Sequence, residues 1–535
     1  MNVSDLLRDR ASERLDHVAV TEAFGERRQI TWGQLDAQAD DISRSLSARG
    51  LVAGHRVGLV FSNRIEFIAT YLGAQRGGLV TVPMNPRSAA GELVRMIADS
   101  GARVVFCGDE TAPGVREAVA SVEDVLVHAD EQLRARSVVP HIVVAGTSAG
   151  PRETAYDSVV TSGAKGDPPV GPSDPETLST LLYTSGTSGQ PRGVMLTHRA
   201  LLANIEQVAA IEPPVMAPDD IVLGLLPLFH IYGLNCVLGQ VVRQGAHLVL
   251  VDHFDPEATL GIVKELGVTN IPIAPPVVAV WAGRDDLRDA FATVRTVLCG
   301  ASALDPDLAE LFAQSSGVVV EQGYGLTETA PVLTATLASS GRRDGLPKAG
   351  SVGGALEGID IRIRDSSGED AAADDPGEVV VRGPNLFSGY WPDGADGPDA
   401  DGWYATGDVG VVDADGDLLL VDRLRELVIV SGFNVYPREV EDVIVELPGV
   451  VEAAVIGVPD AQTGEAVQAF VVATRSDQRP DELASTIAAH CETRLARFKW
   501  PRHIEVVGGL PHSATGKVAK GRLRAQYRRD TLGLD

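Results

Sequence analysis

Residues 57–85, "VGLVFSNRIEFIATYLGAQRGGLVTVPMN", contain the pattern that decides the fold. An apolar, partly β-branched run ends at Phe61, helical spacing of apolar residues follows from Arg64, and a second β-branched run begins after Gly77 and Gly78. Strand, helix and strand in that order form a parallel βαβ unit. "RVVFCG" at 103–108 adds another strand. The alternation recurs between 247 and 325 as "HLVLVD", "PEATLGIVKELG", "VTNIPIA", "VRTVLCG", "DPDLAELFAQ" and "GVVVEQGYG". The chain is therefore expected to be α/β, with a large N-terminal domain built on parallel βαβ sheets. Such sheets bind ligands beyond the carboxyl ends of their strands. Two strands end in small-residue turns, "CGASAL" at 299–304 and "EQGYGLTET" at 321–329, which should reach one crevice.

Farther along, "PDGADGPDADGWYATGD" at 392–408 reads as a surface loop that brings Asp408 to a turn. The register then changes. "PREVEDVIVELPGV" opens with Pro437 at a helix entrance and places Val440, Val443, Ile444 and Leu447 on one face. Further strand and helix patterns follow to the end. The expected domains are 1–422 and a small α+β domain over 423–535.

With 535 residues, 44% apolar and 22% charged, the chain is ordinary globular material with room for two domains. Its formal charge of -27 argues against general binding to nucleic acid or anionic lipid. The charge is unevenly placed: from Arg423 onward there are 15 basic and 15 acidic side chains, so the first 422 residues carry the whole deficit. The four cysteines lie far apart without a CxxC, which fits a reducing compartment. The charged, amphipathic N-terminus lacks the apolar centre of a signal peptide, so a cytoplasmic location is expected. Residues 221–242, "IVLGLLPLFHIYGLNCVLGQVV", are long enough to cross a bilayer, but their proline, histidine, asparagine, glutamine and glycines favour a buried helix and strand end beside a pocket.

The chemistry concentrates at 183–198, "YTSGTSGQPRGVMLTH". Its glycines let backbone approach a ligand, its hydroxyls donate and accept, and Arg192 adds a fixed positive charge. No glycine here is followed by Lys, so this is not a Walker A loop. On composition alone a Gly/Ser linker competes with a phosphate loop.

Four signals in order, "YTSGTSGQPRG", "GYGLTET", "YATGD" with "DRLRELVIVSGFNVYPREVE", and "PHSATGK", resemble the adenylate-forming superfamily of acyl-CoA synthetases, luciferases and peptide-synthetase adenylation domains. The resemblance spans nearly the whole chain. It implies that a carboxylate attacks the α-phosphate of ATP to give acyl-AMP and pyrophosphate, and that a thiol then takes the acyl group. Thr184, Ser185, Gly186, Thr187, Ser188 and Gly189 match the loop on the β- and γ-phosphates. Thr184 and Glu328 match the Mg²⁺ positions, and Thr327 the α-phosphate contact. Gly300, Ala301, Ser302 and the run Glu321, Gln322, Gly323, Tyr324 and Gly325 match the adenine slot, with Tyr324 stacking on the base. Asp408 and Arg423 match the ribose partners, and Lys517 the mobile lysine of adenylation. Ser431, Gly432 and Phe433 match the pantetheine channel, and Arg425 the hinge about which the small domain turns between half-reactions. Ser188, Arg192 and Asp422 depart from the family's usual Thr, Lys and Gly.

Within the superfamily, "PLFHIYG" places His230 where amino-acid-activating domains carry Asp, which disfavours an α-amino substrate. Phe229, His230, Tyr232 and Gly325 are the expected acyl-pocket residues. No insertion follows the "TET" region, so CoA is the expected acceptor. The expected function is an acyl-CoA synthetase acting on a medium- or long-chain fatty acid with ATP, Mg²⁺ and CoA. An aryl-CoA ligase like 4-coumarate ligase, or an acyl-AMP ligase serving a carrier protein, is the alternative. Nucleic acid is not an expected partner, and a homodimer stays open.

Overall fold

In the computed structural model the alternation of strands and helices builds two large sheets from the first 355 residues. The structure describes all residues except 147–148, 162–165, 185–190, 303, 343–345, 366, 373–374, 424–425, 431–432, 461–462, 475–478, 514–515 and 533–535; for 422, 423, 433, 434, 464 and 528–532 it describes the backbone only. The contacts divide the chain into two compact units, Met1–Asp360 with Arg382–Tyr404, and Ile361–Val381 with Ala405–Asp535. This division and the expected boundary at 422/423 differ in where they put residues 361–381 and 405–422.

In the first unit, one sheet has seven strands in the order Thr154–Ala155, His141–Ala145, Ala102–Gly108, Arg56–Val60, Val80–Pro83, Leu178–Thr184 and Arg192–Thr197. The pairings are parallel except for the last, an antiparallel hairpin with Thr184 opposite Arg192. The opening βαβ unit is its centre: Arg56–Val60 and Val80–Pro83 pair in parallel, joined by the buried helix Ile65–Arg76. Strands buried on both faces need continuous apolar runs, and Val80–Pro83 is buried throughout.

The other sheet has nine strands, with Ile221–Gly224, Asn270–Ile273, Thr296–Cys299 and Val320–Gly325 side by side in parallel. Its helices start where the sequence supplies a cap. Asp255 accepts from the Ala258 amide at 2.8 Å ahead of Pro256–Leu266, and Asp305 from the Asp307 amide at 2.8 Å ahead of Pro306–Ser316. Both helices stop at a left-handed glycine, Gly267 and Gly317. The apolar stretch 221–242 becomes the strand Ile221–Gly224, a π-helix over Tyr232–Gly239 and the helix Gln240–Gln244, mostly buried. Among the described residues no helix is long and apolar enough to cross a membrane.

A four-stranded sheet of Asp360–Arg364, Gly377–Arg382, Tyr404–Val412 and Leu418–Arg423 lies in the second unit except for its end residues Asp360, Arg382 and Tyr404, and a five-stranded α+β sheet follows it in the chain. In the latter, Val450–Asp460 and Gly464–Ala473 form a long hairpin, and His503–Val507 pairs in parallel with Gly464–Ala473. The helix Pro437–Val445 buries Val440, Val443 and Ile444 against this sheet, and Leu447 packs beside them.

Candidate active site

The two small-residue turns leave neighbouring strands. Thr296–Cys299 pairs with Val320–Gly325, Cys299 lying opposite Gln322, so 300–302 leave one strand beside the end of the other; of the expected turn at 321–329, residues 321–325 are still strand and only 326–329 turn away. Ala301 adopts a left-handed φ of 73°, rare for a residue with a Cβ and a strain that clusters at functional sites. Gly300 is set by close approach: a Cβ there would lie 3.0 Å from the Tyr232 ring, and the Tyr232 hydroxyl donates to the Leu298 carbonyl at 3.1 Å. At Gly325 a Cβ would collide with the Pro331 carbonyl. Tyr324 is buried on the strand between.

Three buried asparagines fix the turn that follows. The short 3₁₀ turn Thr327–Thr329 carries Glu328, which is buried. Asn385 donates to the Thr329 carbonyl at 2.7 Å, and Asn235, on the π-helix, donates to the Ala330 carbonyl at 2.6 Å. Asn204 donates to the Val332 carbonyl at 2.7 Å and accepts from its amide at 3.0 Å. Ala330 is thereby held at a left-handed φ of 62°. The turn lies against the strand Arg192–Thr197, which leaves the hydroxyl- and glycine-rich loop. Thr184 ends the strand that enters it, while Ser185, Gly186, Thr187, Ser188 and Gly189 lie outside the described residues.

Glu328 Oε1 accepts from the Tyr390 hydroxyl at 2.7 Å, and Oε2 takes no hydrogen bond from any described residue. One buried carboxylate fits Mg²⁺, a hard cation that is usually bound through one or two carboxylates plus substrate phosphates rather than an all-protein cage. No cluster of three or more His, Cys, Asp or Glu side chains placed to hold a metal occurs among the described residues.

Glu321, by contrast, has its carboxylate committed. Arg342 donates to both its oxygens at 2.7 and 2.9 Å, and Thr336 donates at 2.6 Å. What the run 321–323 offers a ligand is mainly backbone. The guanidinium of Arg342 is raised above its ordinary value by this carboxylate.

The segment carrying Phe229, His230 and Tyr232 is anchored from the other sheet. Buried Asn63 donates to the carbonyls of Gly224 at 3.1 Å and Leu226 at 3.0 Å, and accepts from the Leu228 amide at 2.9 Å. His230 Nδ1 accepts from the Tyr232 amide at 3.3 Å, so the neutral ring carries its hydrogen on Nε2. Phe229 packs partly against the main core.

In the second unit, Asp408 is buried and sits opposite Arg423 in an antiparallel pair. Thr406 accepts from the Asp408 amide at 3.1 Å. Lys517 is exposed and closes a turn in which its carbonyl accepts from the Ser513 amide at 2.7 Å and its amide donates to the Ser513 hydroxyl at 3.2 Å. Arg425, Ser431 and Gly432 lie outside the described residues, as do the side chains of Arg423 and Phe433.

The arrangement suits nucleotide binding at the edge of a parallel sheet, and comparison with known proteins decides the family. A sequence profile of AMP-binding enzymes matches residues 7–391, and a profile of the AMP-binding enzyme C-terminal domain matches 439–517. The chain belongs to the AMP-binding enzyme family. Within the adenylate-forming superfamily this AMP-binding enzyme falls in the acyl-CoA synthetase branch. It is 32% identical over 532 residues to 4-coumarate–CoA ligase 5 of Oryza sativa subsp. japonica, covering 98% of this chain and 94% of that one. It is 31% identical over 542 residues to the long-chain-fatty-acid–CoA ligase of Bacillus subtilis, covering 97% and 94%. The crystal structure of ATP-bound MatB from Rhodopseudomonas palustris has the same fold, with a TM-score of 0.84, 28% identity and 99% of each chain covered.

Sequence reasoning missed Asn63, Asn204, Asn235, Arg342, Asn385 and Tyr390. Only Tyr390 carried a signal, as the aromatic of "SGYW" just before the Gly/Asp-rich loop.

Proposed function

We propose that this enzyme joins an uncharged, apolar carboxylic acid to CoA in two steps. A carboxylate oxygen attacks the α-phosphorus of ATP and pyrophosphate leaves, giving acyl-AMP. The CoA sulfur, losing its proton, then attacks the acyl carbonyl and AMP leaves. The first step converts a poor leaving group, oxide, into a good one. The observation that carries this reading is Glu328, a buried carboxylate at the carboxyl edge of a parallel sheet, on a turn held by three asparagine amides. Fixed polar groups of this kind stabilise developing charge without reorganising during reaction.

In this reading Thr327 meets the α-phosphate, Tyr324 stacks on adenine beside the backbone of 300–302 and 321–323, and Asp408 and Arg423 take the ribose hydroxyls. Thr184 and Glu328 hold the Mg²⁺ that accompanies ATP and, when bound, neutralises phosphate charge. Lys517 supplies the cation for adenylation, Ser431, Gly432 and Phe433 border the thiol path, and the hinge lies at Arg425, with 423–535 as the moving part. The tail is a medium- or long-chain fatty acid, accommodated beside Phe229 and His230, with histidine at 230 in place of an acidic partner for an ammonium group. One observation favours an aryl acid as the second reading: the Tyr232 ring is pinned across Gly300, a flat rigid wall against which an aromatic acid stacks and which a long flexible chain has to bypass.

Acid-dependent exchange of labelled pyrophosphate into ATP, measured across saturated and aromatic acids, tests the reading. Exchange with apolar acids supports it; exchange confined to amino acids or dicarboxylates contradicts the tail assignment.

A further inference from the structure

Tyr390 lies outside every role given above, yet it makes the one hydrogen bond between Glu328's carboxylate and another described side chain. A carboxylate only accepts, so Tyr390 donates, and its single hydroxyl hydrogen is thereby committed. Phe387 stands edge-on to both rings, with centroids 5.1 Å from Tyr390 and 5.0 Å from Tyr404.

The backbone around Tyr390 is registered on the strand that leaves the phosphate loop. Met195 donates to the Gly389 carbonyl at 3.1 Å, Ser388 to the Met195 carbonyl at 3.0 Å, and Trp391 to the Gly193 carbonyl at 2.8 Å. The Phe387 amide donates to the Glu328 carbonyl at 2.9 Å, so the segment grips Glu328 by backbone as well as by carboxylate. From the same strand, Arg192 lays its guanidinium 3.6 Å from the centre of the Tyr390 ring and pairs with Asp396 at 2.6 Å. A planar guanidinium can stack on a ring and keep an in-plane ion pair, which the point charge of a lysine does not reproduce. A cation on the ring face also draws electron density from the phenol and strengthens its O–H as a donor.

We propose that Tyr390 is a positioning residue for the metal carboxylate Glu328, and that Arg192, stacked on its ring, couples that positioning to the exit of the phosphate loop. This rests on the reading of Glu328 as the Mg²⁺ ligand. With Oε1 occupied by Tyr390, Oε2 is presented to the cation in one orientation. Arg192 therefore acts on adenylation through Tyr390, from the position where the family's motif has lysine.

Three variants of the full chain test the proposal: Tyr390→Phe, which keeps the ring and the stack; Arg192→Met, which keeps the aliphatic stem and removes the cation; and Glu328→Gln. Pyrophosphate exchange is titrated with Mg²⁺, thermal midpoints are recorded, and thioester formation is followed from supplied acyl-AMP. Tyr390→Phe is expected to raise the Mg²⁺ concentration for half-maximal exchange and lower the maximal rate by about tenfold, the usual size for losing a group that orients a metal ligand. Its thermal midpoint should fall by no more than the few degrees that losing one buried hydrogen bond costs, and its thioester step should not change. Arg192→Met should move the Mg²⁺ requirement the same way by about threefold, and it carries the test alone if Tyr390→Phe folds poorly. Loss of exchange in Glu328→Gln with unaltered Mg²⁺ titrations in the other two overturns the positioning role and leaves Glu328 as ligand. Unaltered exchange in Glu328→Gln removes the ligand reading and this proposal with it.

Discussion

Replacing Asn63 with alanine should loosen, from a distance, the segment proposed to line the acyl pocket. The side chain is buried, and its amide spans two sheets: two donated bonds at 3.1 and 3.0 Å go to Gly224 and Leu226, and one at 2.9 Å is accepted from Leu228. Each such bond is worth about 1 kcal/mol net, and groups left buried without a partner cost somewhat more, so Asn63→Ala should destabilise the chain by about 3 kcal/mol. Asn63→Asp should be worse, because a carboxylate would face two carbonyl oxygens in a buried setting. Since Leu226 and Leu228 lead directly into Phe229 and His230, the acid's KM should rise while the KM for ATP changes little. Denaturant midpoints and initial rates with acid and ATP varied separately measure both effects. A loss under about 0.5 kcal/mol, within the scatter of ordinary surface substitutions, together with an unchanged acid KM, would refute the clamp.

Lys517→Ala should abolish acyl-AMP formation, by about 3 kcal/mol or more in barrier, while thioester formation from supplied acyl-AMP continues; normal pyrophosphate exchange by this variant counts against the lysine's role. Gly300→Ala should cut adenylation about tenfold, since the new Cβ presses on a Tyr232 ring held by its hydroxyl and overpacking costs about 1–3 kcal/mol; an unaltered rate would mean that the ring yields. Burial pushes the His198 imidazole down to about 4, and its Nδ1 accepts from the Val3 amide at 3.2 Å. A histidine held neutral in the fold contributes stability that is complete above its unfolded value near 6.5 and is lost as pH falls toward 4. Stability should therefore drop by about 2 kcal/mol between pH 7 and 5 from this group, and His198→Gln should flatten that part of the urea-midpoint profile; an unchanged slope contradicts it.

The sheets were legible because their signal is local. "VGLVF", "RIEFIATYLGAQ" and "GLVTVP" each announce their element through periodicity alone, and each forms where expected. The turn glycines and Glu328 were marked by motifs whose spacing is short. The supports of that turn were not. Asn204 reaches a carbonyl 128 positions away, Asn235 one 95 away and Asn385 one 56 away, and an isolated asparagine in an apolar stretch reads the same whether it clamps a distant turn or caps a helix. Tyr390 meets Glu328 across 62 positions, and only the fold makes them neighbours. Glu321 shows the converse: the motif marks it for the nucleotide, while the structure gives its carboxylate to Arg342 and Thr336. The π-helical winding of Tyr232–Gly239 also escaped the sequence, since π and α turns bury the same apolar residues.

The most direct test follows all products of one reaction. Purified enzyme is incubated with ATP, Mg²⁺, CoA and a series of saturated and aromatic acids, and AMP, pyrophosphate and acyl-CoA are quantified together by mass spectrometry. AMP, pyrophosphate and acyl-CoA are expected in equal amounts with at least one apolar acid, and acyl-AMP without turnover when CoA is omitted. ADP and phosphate in place of AMP and pyrophosphate, or acyl-AMP that CoA does not discharge, would contradict the proposed reaction.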